Sequence, residues 1–263
     1  MPTALLYQDF IHNNYAVYRA LRETFGAQNT DFCTAEDIRK GRLRAHDIDL
    51  FVLPGGADLY YVEKLEAAGN EGIKHYVNSG GRYLGICAGA YYAARSILYA
   101  KGSAHEVKGP RALGFFPGLA VGPVGAPRPF DPDGFTSPRI GTLRDRDSNI
   151  LWKSIYWGGP AFAPLTAADT SDIVDILARY EDPEAQNSPA IIRCKVGEGR
   201  AVLCGVHPEI TPSDLENMGY ARDRTNHPFA RAAAQLRHFN EHSEPSHPRA
   251  LWSRVMEWTM SPQ

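Results

Sequence analysis

Residues 82–89 read Arg-Tyr-Leu-Gly-Ile-Cys-Ala-Gly, and they decide the fold because they place one cysteine between a strand and a helix. Residues 82–86 have the apolar character of a short buried strand, and residues 88–96 favour the helix that follows. The flanking glycines permit the sharp strand-to-helix turn that raises a nucleophile above the edge of a sheet, and the N-terminus of a helix favours a thiolate. The pattern predicts an α/β protein with Cys87 as its nucleophile.

A histidine and a carboxylate follow a second strand-like run. Residues 199–206 are apolar and lead directly into His207-Pro208-Glu209. A histidine just past one strand end can meet a nucleophile past a neighbouring strand end, so we expect His207 to act as base for Cys87 and Glu209 to orient the imidazole. The alternative is a surface His-Pro-Glu turn beside an inert buried cysteine.

Glycines also end the strand that precedes the cysteine strand. Residues 48–53 are apolar and run into Pro54, Gly55 and Gly56. The backbone amides of Gly55 and Gly56, with that of Ala88, are candidates for an oxyanion hole, which binds the charge that develops on an acyl oxygen. An ordinary glycine turn is the alternative.

Aromatic residues stand beside the glycine turns of the same edge. Tyr91 and Tyr92 follow the cysteine turn, and Tyr156 and Trp157 precede a double glycine. These four residues are candidates for lining a substrate pocket. Packing in the core beneath the sheet is the alternative.

Composition restricts the classes of function. The 263 residues include 43% hydrophobic residues, enough for a large core, and the net charge of −2 gives no reason to expect a nucleic-acid or membrane partner. The four cysteines have neither metal-site spacing nor the density of a disulfide scaffold, so we expect no metal and no cofactor. The first residues resemble a strand and not a signal peptide, and no apolar run has the length of a membrane span. We therefore expect a soluble cytoplasmic protein.

The order of elements predicts a single domain over residues 1–263. Strand and helix patterns alternate in the first half, which favours a mostly parallel sheet with helices on both faces. After residue 109 the sequence becomes rich in proline, glycine and aromatic residues, followed by short strands that extend the sheet in antiparallel fashion. These strands are predicted at residues 150–157, 173–180 and 190–196. Residues from about 211 to 263 form a C-terminal helical extension, with helices predicted at residues 226–242 and 249–259.

The motifs at residues 85–89 and 207–209 resemble those of class I glutamine amidotransferase domains. A closer resemblance is to the amidotransferase-like amino-terminal domain of eukaryotic biotin–protein ligases, which also occurs as a stand-alone bacterial protein. That similarity rests on several motifs in order, at residues 53–59, 83–92, 113–118, 156–159 and 205–209. The resemblance implies a flavodoxin-like α/β fold with a Cys-His-Glu triad.

Two departures from the family pattern argue against free glutamine as substrate. Tyr91 stands where class I glutaminases carry glutamine, and residues 8–14 replace the glycine-rich loop of the ligase-type domain. The chain also has no Gly-Arg-Gly-Arg loop for biotinyl-adenylate, so biotin ligation is not expected.

Three functions remain open. The first is an amidohydrolase or amidotransferase that uses Cys87, His207 and Glu209 on a small-molecule amide or peptide-like substrate, with an acceptor or synthetase protein as a candidate partner. The second is a non-catalytic ligand-binding or regulatory domain. The third is a cysteine peptidase-like member of the same superfamily.

Overall fold

The computed structural model describes residues 3–9, 14–44, 47–125, 137–164, 172–218, 228–242 and 248–261. Within these ranges the strands are β1 (Ala4–Tyr7), β2 (Thr30–Cys33), β3 (Leu50–Leu53), β4 (Arg82–Ile86), β5 (Ala94–Tyr99), β6 (Val107–Pro110), β7 (Phe116–Gly122), β8 (Arg139–Asp145), β9 (Leu151–Tyr156), β10 (Ala161–Pro164), β11 (Val174–Tyr180), β12 (Pro189–Val196) and β13 (Gly199–Cys204). The α-helices are α1 (Asn14–Phe25), α2 (Ala35–Arg39), α3 (Asp58–Asn78), α4 (Ala88–Tyr92), α5 (Pro212–Asn217), α6 (Pro228–His242) and α7 (Pro248–Met260).

A large mixed sheet carries the fold. In the described part of the chain its strand order is β2-β1-β3-β4-β13-β12-β11-β8-β9. The pairings from β2 to β13 are parallel, and those from β13 to β9 are antiparallel. The parallel half has the 2-1-3-4-5 order of flavodoxin-like folds, which confirms the predicted α/β class. The two halves contribute equal numbers of strand pairings, so the sheet is mixed and not mostly parallel.

Helices cover both faces of this sheet, as the strand–helix alternation predicts. Successive residues of β1 point to opposite faces: Leu5 packs in one core cluster with Leu65 of α3, and Leu6 packs in the other with Leu21 of α1. Val255 of α7 belongs to the same cluster as Leu6. The last helix of the predicted C-terminal helical extension therefore packs on the main sheet.

A second, four-stranded sheet follows the cysteine turn, in the order β10-β7-β5-β6 among the described residues. The helix predicted over residues 88–96 ends at Tyr92, and residues 94–99 form β5 instead. This prediction was wrong because β5 gains a parallel partner in β7 and an antiparallel partner in β6, and such distant pairing overrides local helix propensity.

Other local patterns have mixed outcomes. Thr34 and Asp37 form the predicted capping box at the start of α2. The antiparallel strands predicted near residues 150–157, 173–180 and 190–196 are present as β9, β11 and β12.

Helix α3 is broken at Glu66, whose φ of 54° lies outside the helical region. None of the helices in the described ranges is long and apolar enough to cross a membrane.

Helix α4 approaches the end of β3 so closely that only glycine fits at position 89. The Gly89 amide donates to the carbonyl oxygen of Pro54 at 3.0 Å, and a Cβ at this position would overlap the carbonyl oxygen of Leu53. The Cys87 turn therefore depends on backbone-to-backbone contact between α4 and β3.

We predict that Gly89→Ala lowers the free energy of unfolding by about 2–4 kcal/mol, because the clash is with rigid backbone. Gly72→Ala in α3 is the matched control, since its nearest neighbours lie at 3.5 Å and alanine favours a helix by up to about 1 kcal/mol. Urea unfolding of both variants measures the difference. Equal stability of the two variants would show that α4 does not depend on this contact.

Candidate active site

Cys87 occupies the sharp turn between β4 and α4. Its φ of 51° and ψ of −103° lie outside the regions that non-glycine residues favour, as in the strained turns that present nucleophiles. The Cys87 amide donates to the carbonyl oxygen of Cys204 at 2.9 Å, which continues the parallel pairing with β13. The Cys87 carbonyl accepts from the amides of Ala90 and Tyr91, both at 3.0 Å. Hydrogen bonds on both sides thus hold the strained backbone in place.

His207 follows β13 and is held through both its backbone and its side chain. Its amide donates to the carbonyl oxygen of Ile155 in β9 at 2.8 Å, and its Nδ1 lies 2.8 Å from Oε1 of Glu209. Both side chains are buried. Gly55 lies against the ring, where a Cβ would stand only 2.8 Å from Cε1 of His207. Gly55 therefore leaves the room that the imidazole needs.

The Cys87 thiol and the His207 imidazole interact. Sγ of Cys87 lies 3.5 Å from the carbonyl oxygen of Trp157, and the imidazole is near enough to the thiol for their interaction to affect its protonation. Burial disfavours the imidazolium. The charge of Glu209, the hydrogen bonds to Cys87 and Glu209, and the charge of Cys87 have the opposite effect and outweigh burial. Together they raise the pKa of His207 to about 10. Because Glu209 occupies Nδ1, Nε2 is the nitrogen that remains for the thiol.

Arg19 of α1 braces the segment that carries Glu209. Its guanidinium donates to the carbonyl oxygen of Glu209 at 2.7 Å and to both carboxylate oxygens of Asp214, at 2.8 and 3.1 Å. Asp214 also closes a capping box with Thr211 at the start of α5. The Thr211-Pro-Ser-Asp214 pattern is readable in the sequence, but nothing local connects Arg19 with a segment 190 residues away. Sequence reasoning therefore missed Arg19.

A cavity of about 420 Å³ opens beside Cys87. Its lining includes Cys87, His207 and Glu209, and also the three residues predicted to form an oxyanion hole, Gly55, Gly56 and Ala88. Among the described residues, the amides of these three have no hydrogen-bond acceptor, whereas the next amide, that of Gly89, is taken by Pro54. Amides without acceptors at a cavity wall are suitable donors for a bound carbonyl oxygen.

Of the four aromatic residues predicted to line a pocket, the structure places two in the lining. Tyr91 and Trp157 border the cavity. Tyr92 instead donates to Oδ1 of Asn70 at 2.7 Å in the core, and Tyr156 donates to the carbonyl oxygen of Gly159 at 2.9 Å. Both are buried outside the cavity, because adjacent residues of a helix or a strand point in different directions.

Several lining residues escaped sequence analysis. Ile97 and Tyr99 come from the part of β5 that follows the helix predicted over residues 88–96, and Val107 comes from β6. Asn14 and Asp58 line the cavity from the first residues of α1 and α3. Residues 10–13 of the segment that replaces a glycine-rich loop lie outside the described residues. No group of three His, Cys, Asp or Glu side chains in the described ranges is arranged to hold a metal ion.

The raised pKa of His207 predicts a pH dependence. The folded-state pKa of about 10 lies above the ordinary value of 6.5, so protonated His207 contributes its full stabilisation below pH 6.5 and loses it as the pH rises to about 10. We expect Glu209→Gln to lower the pKa of the imidazole, because the substitution removes the negative charge that stabilises the imidazolium against the effect of burial. NMR titration of the ring protons in both proteins tests this, and an unchanged pKa would contradict the role of Glu209.

The Arg19 contacts predict a specific loss of stability. Arg19→Lys retains the charge but cannot reach both Asp214 oxygens and the Glu209 carbonyl, so we expect the free energy of unfolding to fall by about 1–3 kcal/mol. Arg22→Lys is the control on the same helix, since Arg22 is exposed and lies 5.4 Å from the Tyr18 ring, and we expect a change within about 0.5 kcal/mol. Denaturant unfolding compares them, and equal losses would argue against the brace.

Comparison with known proteins identifies the family. The family described as "Biotin-protein ligase, N terminal" matches residues 42–244, well over half of the chain. Biotin–protein ligase of Schizosaccharomyces pombe is 34% identical over 164 residues, which cover 62% of this chain and 26% of the ligase. An uncharacterized protein of Chlamydia muridarum is 36% identical over 180 residues, covering 66% of this chain and 67% of that protein.

A solved structure agrees with the fold. The crystal structure of a glutamine amidotransferase matches 78% of this chain and 90% of its own, with a TM-score of 0.53 at 17% sequence identity. At that identity the likeness concerns the fold. This chain spans about a quarter of the length of the yeast ligase, so it corresponds to one part of that protein. The chain belongs to the biotin–protein ligase N-terminal domain family, and its fold resembles that of a glutamine amidotransferase.

Proposed function

We propose that the protein transfers acyl groups from amides through Cys87, as an amidohydrolase or an amidotransferase. The observation that carries this proposal is the Cys87–His207–Glu209 arrangement at the wall of a cavity, with the hydrogen-bonded pair His207–Glu209 at 2.8 Å. A nucleophile, a base and a residue that orients the base are the parts that covalent acyl transfer requires.

The chemistry follows from the protonation of His207. With a pKa raised to about 10, the imidazole is protonated at neutral pH and is paired with Glu209. In the proposed reaction Cys87 attacks as a thiolate beside this imidazolium. The thiolate adds to the amide carbonyl carbon, and the amides of Gly55, Gly56 and Ala88 bind the resulting oxyanion. The C–N bond breaks as the imidazolium gives its proton to the leaving nitrogen, which leaves a thioester on Cys87.

The thioester is resolved by a second nucleophile. Water, or an amine brought by an acceptor or synthetase partner, adds to the thioester carbonyl and gives its proton to neutral His207. The C–S bond then breaks, which releases an acid or a new amide and restores the thiolate–imidazolium pair. Atoms and charges balance without a cofactor.

The proposal does not extend to free glutamine or to biotin ligation. Tyr91 occupies the sequence position at which class I glutaminases have a glutamine residue. It borders the cavity, and its hydroxyl donates to the carbonyl oxygen of Gly158 at 3.1 Å. We also infer a reducing compartment such as the cytoplasm, since all four cysteines are free.

A non-catalytic binding role is the second candidate, and one observation favours it. Cys87 is only 7% exposed, and its thiol faces the carbonyl oxygen of Trp157. A thiol that stays in that contact would serve as part of a binding wall. The two candidates differ in the reactivity they expect of Cys87.

Two measurements test the proposal. In the folded protein at about pH 6, iodoacetamide should label Cys87 well ahead of Cys33, Cys194 and Cys204, because Cys87 lines the cavity whereas burial raises the pKa of the other three thiols. A panel of primary amides that includes glutamine is then assayed for ammonia release. We expect release from an amide other than glutamine, lowered at least about 10³-fold by Cys87→Ala.

Cys194→Ala is the control, because Cys194 is equally free but buried in the sheet away from the cavity. It should retain the activity of the unmodified protein. Labelling of all four cysteines at one rate, or ammonia release that survives Cys87→Ala, would reject the proposal and support a binding role.

A further inference from the structure

Among the described residues, the lining of the cavity beside Cys87 offers no unpaired cation to receive a carboxylate, because protonated His207 is already paired with Glu209. Of the described residues that line it, none is Lys or Arg, and the acidic ones are Asp58 and Glu209. Asp58 is paired at 2.5 Å with Arg111, which is not one of the described lining residues, and Glu209 is paired with His207. Each charge is thus already balanced within the protein. A substrate carboxylate would be buried here without a partner, which is strongly unfavourable.

The unsatisfied side-chain atoms of the lining are hydrogen-bond acceptors. In the described part of the chain, two buried lining atoms have no partner, namely Oδ1 of Asn14 and Oε2 of Glu209. Nδ2 of Asn14 donates to the carbonyl oxygen of Tyr7 at 3.2 Å, which identifies Oδ1 as the free acceptor. Asn14 is only 7% exposed. A buried acceptor without a donor is unfavourable. A ligand with N–H groups would satisfy these two atoms by donating hydrogen bonds to them.

The rest of the wall suits an apolar group. Tyr91 and Tyr99 meet edge to face at 5.6 Å between ring centroids, and Trp157 and Ile97 also line the space. Aromatic walls of this kind favour flat hydrocarbon or aromatic groups.

We propose that the acyl donor is an uncharged amide with an apolar or aromatic acyl chain, whose far end carries N–H donors and no carboxylate. The amide carbonyl lies at Cys87, the chain lies against the aromatic wall, and the distal N–H groups satisfy Asn14. Glutamine does not fit, because its α-carboxylate would find no unpaired cation among the described lining residues. This inference rests on the proposed acyl transfer for the position of the carbonyl.

A matched pair of probes tests the inference apart from catalysis. The compounds 3-(4-carbamoylphenyl)propanamide and 3-(4-carboxyphenyl)propanamide differ in one distal group, a neutral amide in the first and a carboxylate in the second. Calorimetric binding to the Cys87→Ala protein should favour the carbamoyl compound by at least about tenfold. Equal binding, preference for the carboxylate, or no binding of either compound would overturn the inference.

Variants of the lining sharpen the test. Leu59 borders the cavity and is 51% exposed, so Leu59→Arg adds a cation at the wall and should improve carboxylate binding about tenfold. Val62→Arg adds the same charge on α3 outside the lining, and should leave the preference unchanged. Asn14→Leu should weaken the carbamoyl compound about tenfold and leave the carboxylate compound as it was. Equal effects of Leu59→Arg and Val62→Arg would overturn the inference.

Ammonia release by the unmodified protein separates this inference from the proposed function. Cys87-dependent release from the carbamoyl compound supports both. Cys87-dependent release from the carboxylate compound alone overturns only the substrate class. Selective binding of the carbamoyl compound with no release would reject acyl transfer from this class and retain the recognition.

Discussion

The close approach of α4 to the end of β3 is the constraint on which the candidate site depends. Gly89 lies against the backbone of Leu53 and Pro54, so α4 begins at once after β4 with no intervening loop. At that junction Cys87 has a positive φ of 51°. This geometry sets the thiol beside the histidine that follows the neighbouring strand β13, and it leaves the Ala88 amide at the cavity wall. One backbone contact thus positions groups from two consecutive residues.

Charge at the site is arranged as a set of buried pairs. His207 and Glu209 hold each other, Arg19 holds both Asp214 and the backbone of Glu209, and Arg111 holds Asp58. A buried charge without a partner is strongly unfavourable, so each pair depends on the folded arrangement of its neighbours. The same pairing explains the raised pKa of His207, because the imidazolium supplies the positive charge opposite Glu209.

The sequence predicts the parts of this arrangement that local pattern encodes. The strand–glycine–cysteine turn, the His-Pro-Glu segment and the glycine turn after β3 each follow from a few adjacent residues, and the structure brings them to one cavity. Contacts across large separations are absent from local pattern, so Arg19, Asn14 and the strand β5 were missed. Tyr92 and Tyr156 show that local pattern also fails to predict the direction in which a side chain points. Each stands next to a lining residue, but its side chain points into the core.

The hydrogen bond from the His207 amide to Ile155 has a consequence for entropy. It joins the residue after the central strand β13 to β9, the edge strand at the far end of the described sheet. The antiparallel half of the sheet therefore curls back toward the strand ends that carry Cys87 and His207. With its backbone held by β9 and its ring held by Glu209, the imidazole has little rotational freedom left before any ligand arrives. A group that is already ordered loses little entropy on binding, so the curled sheet preorganises its own base.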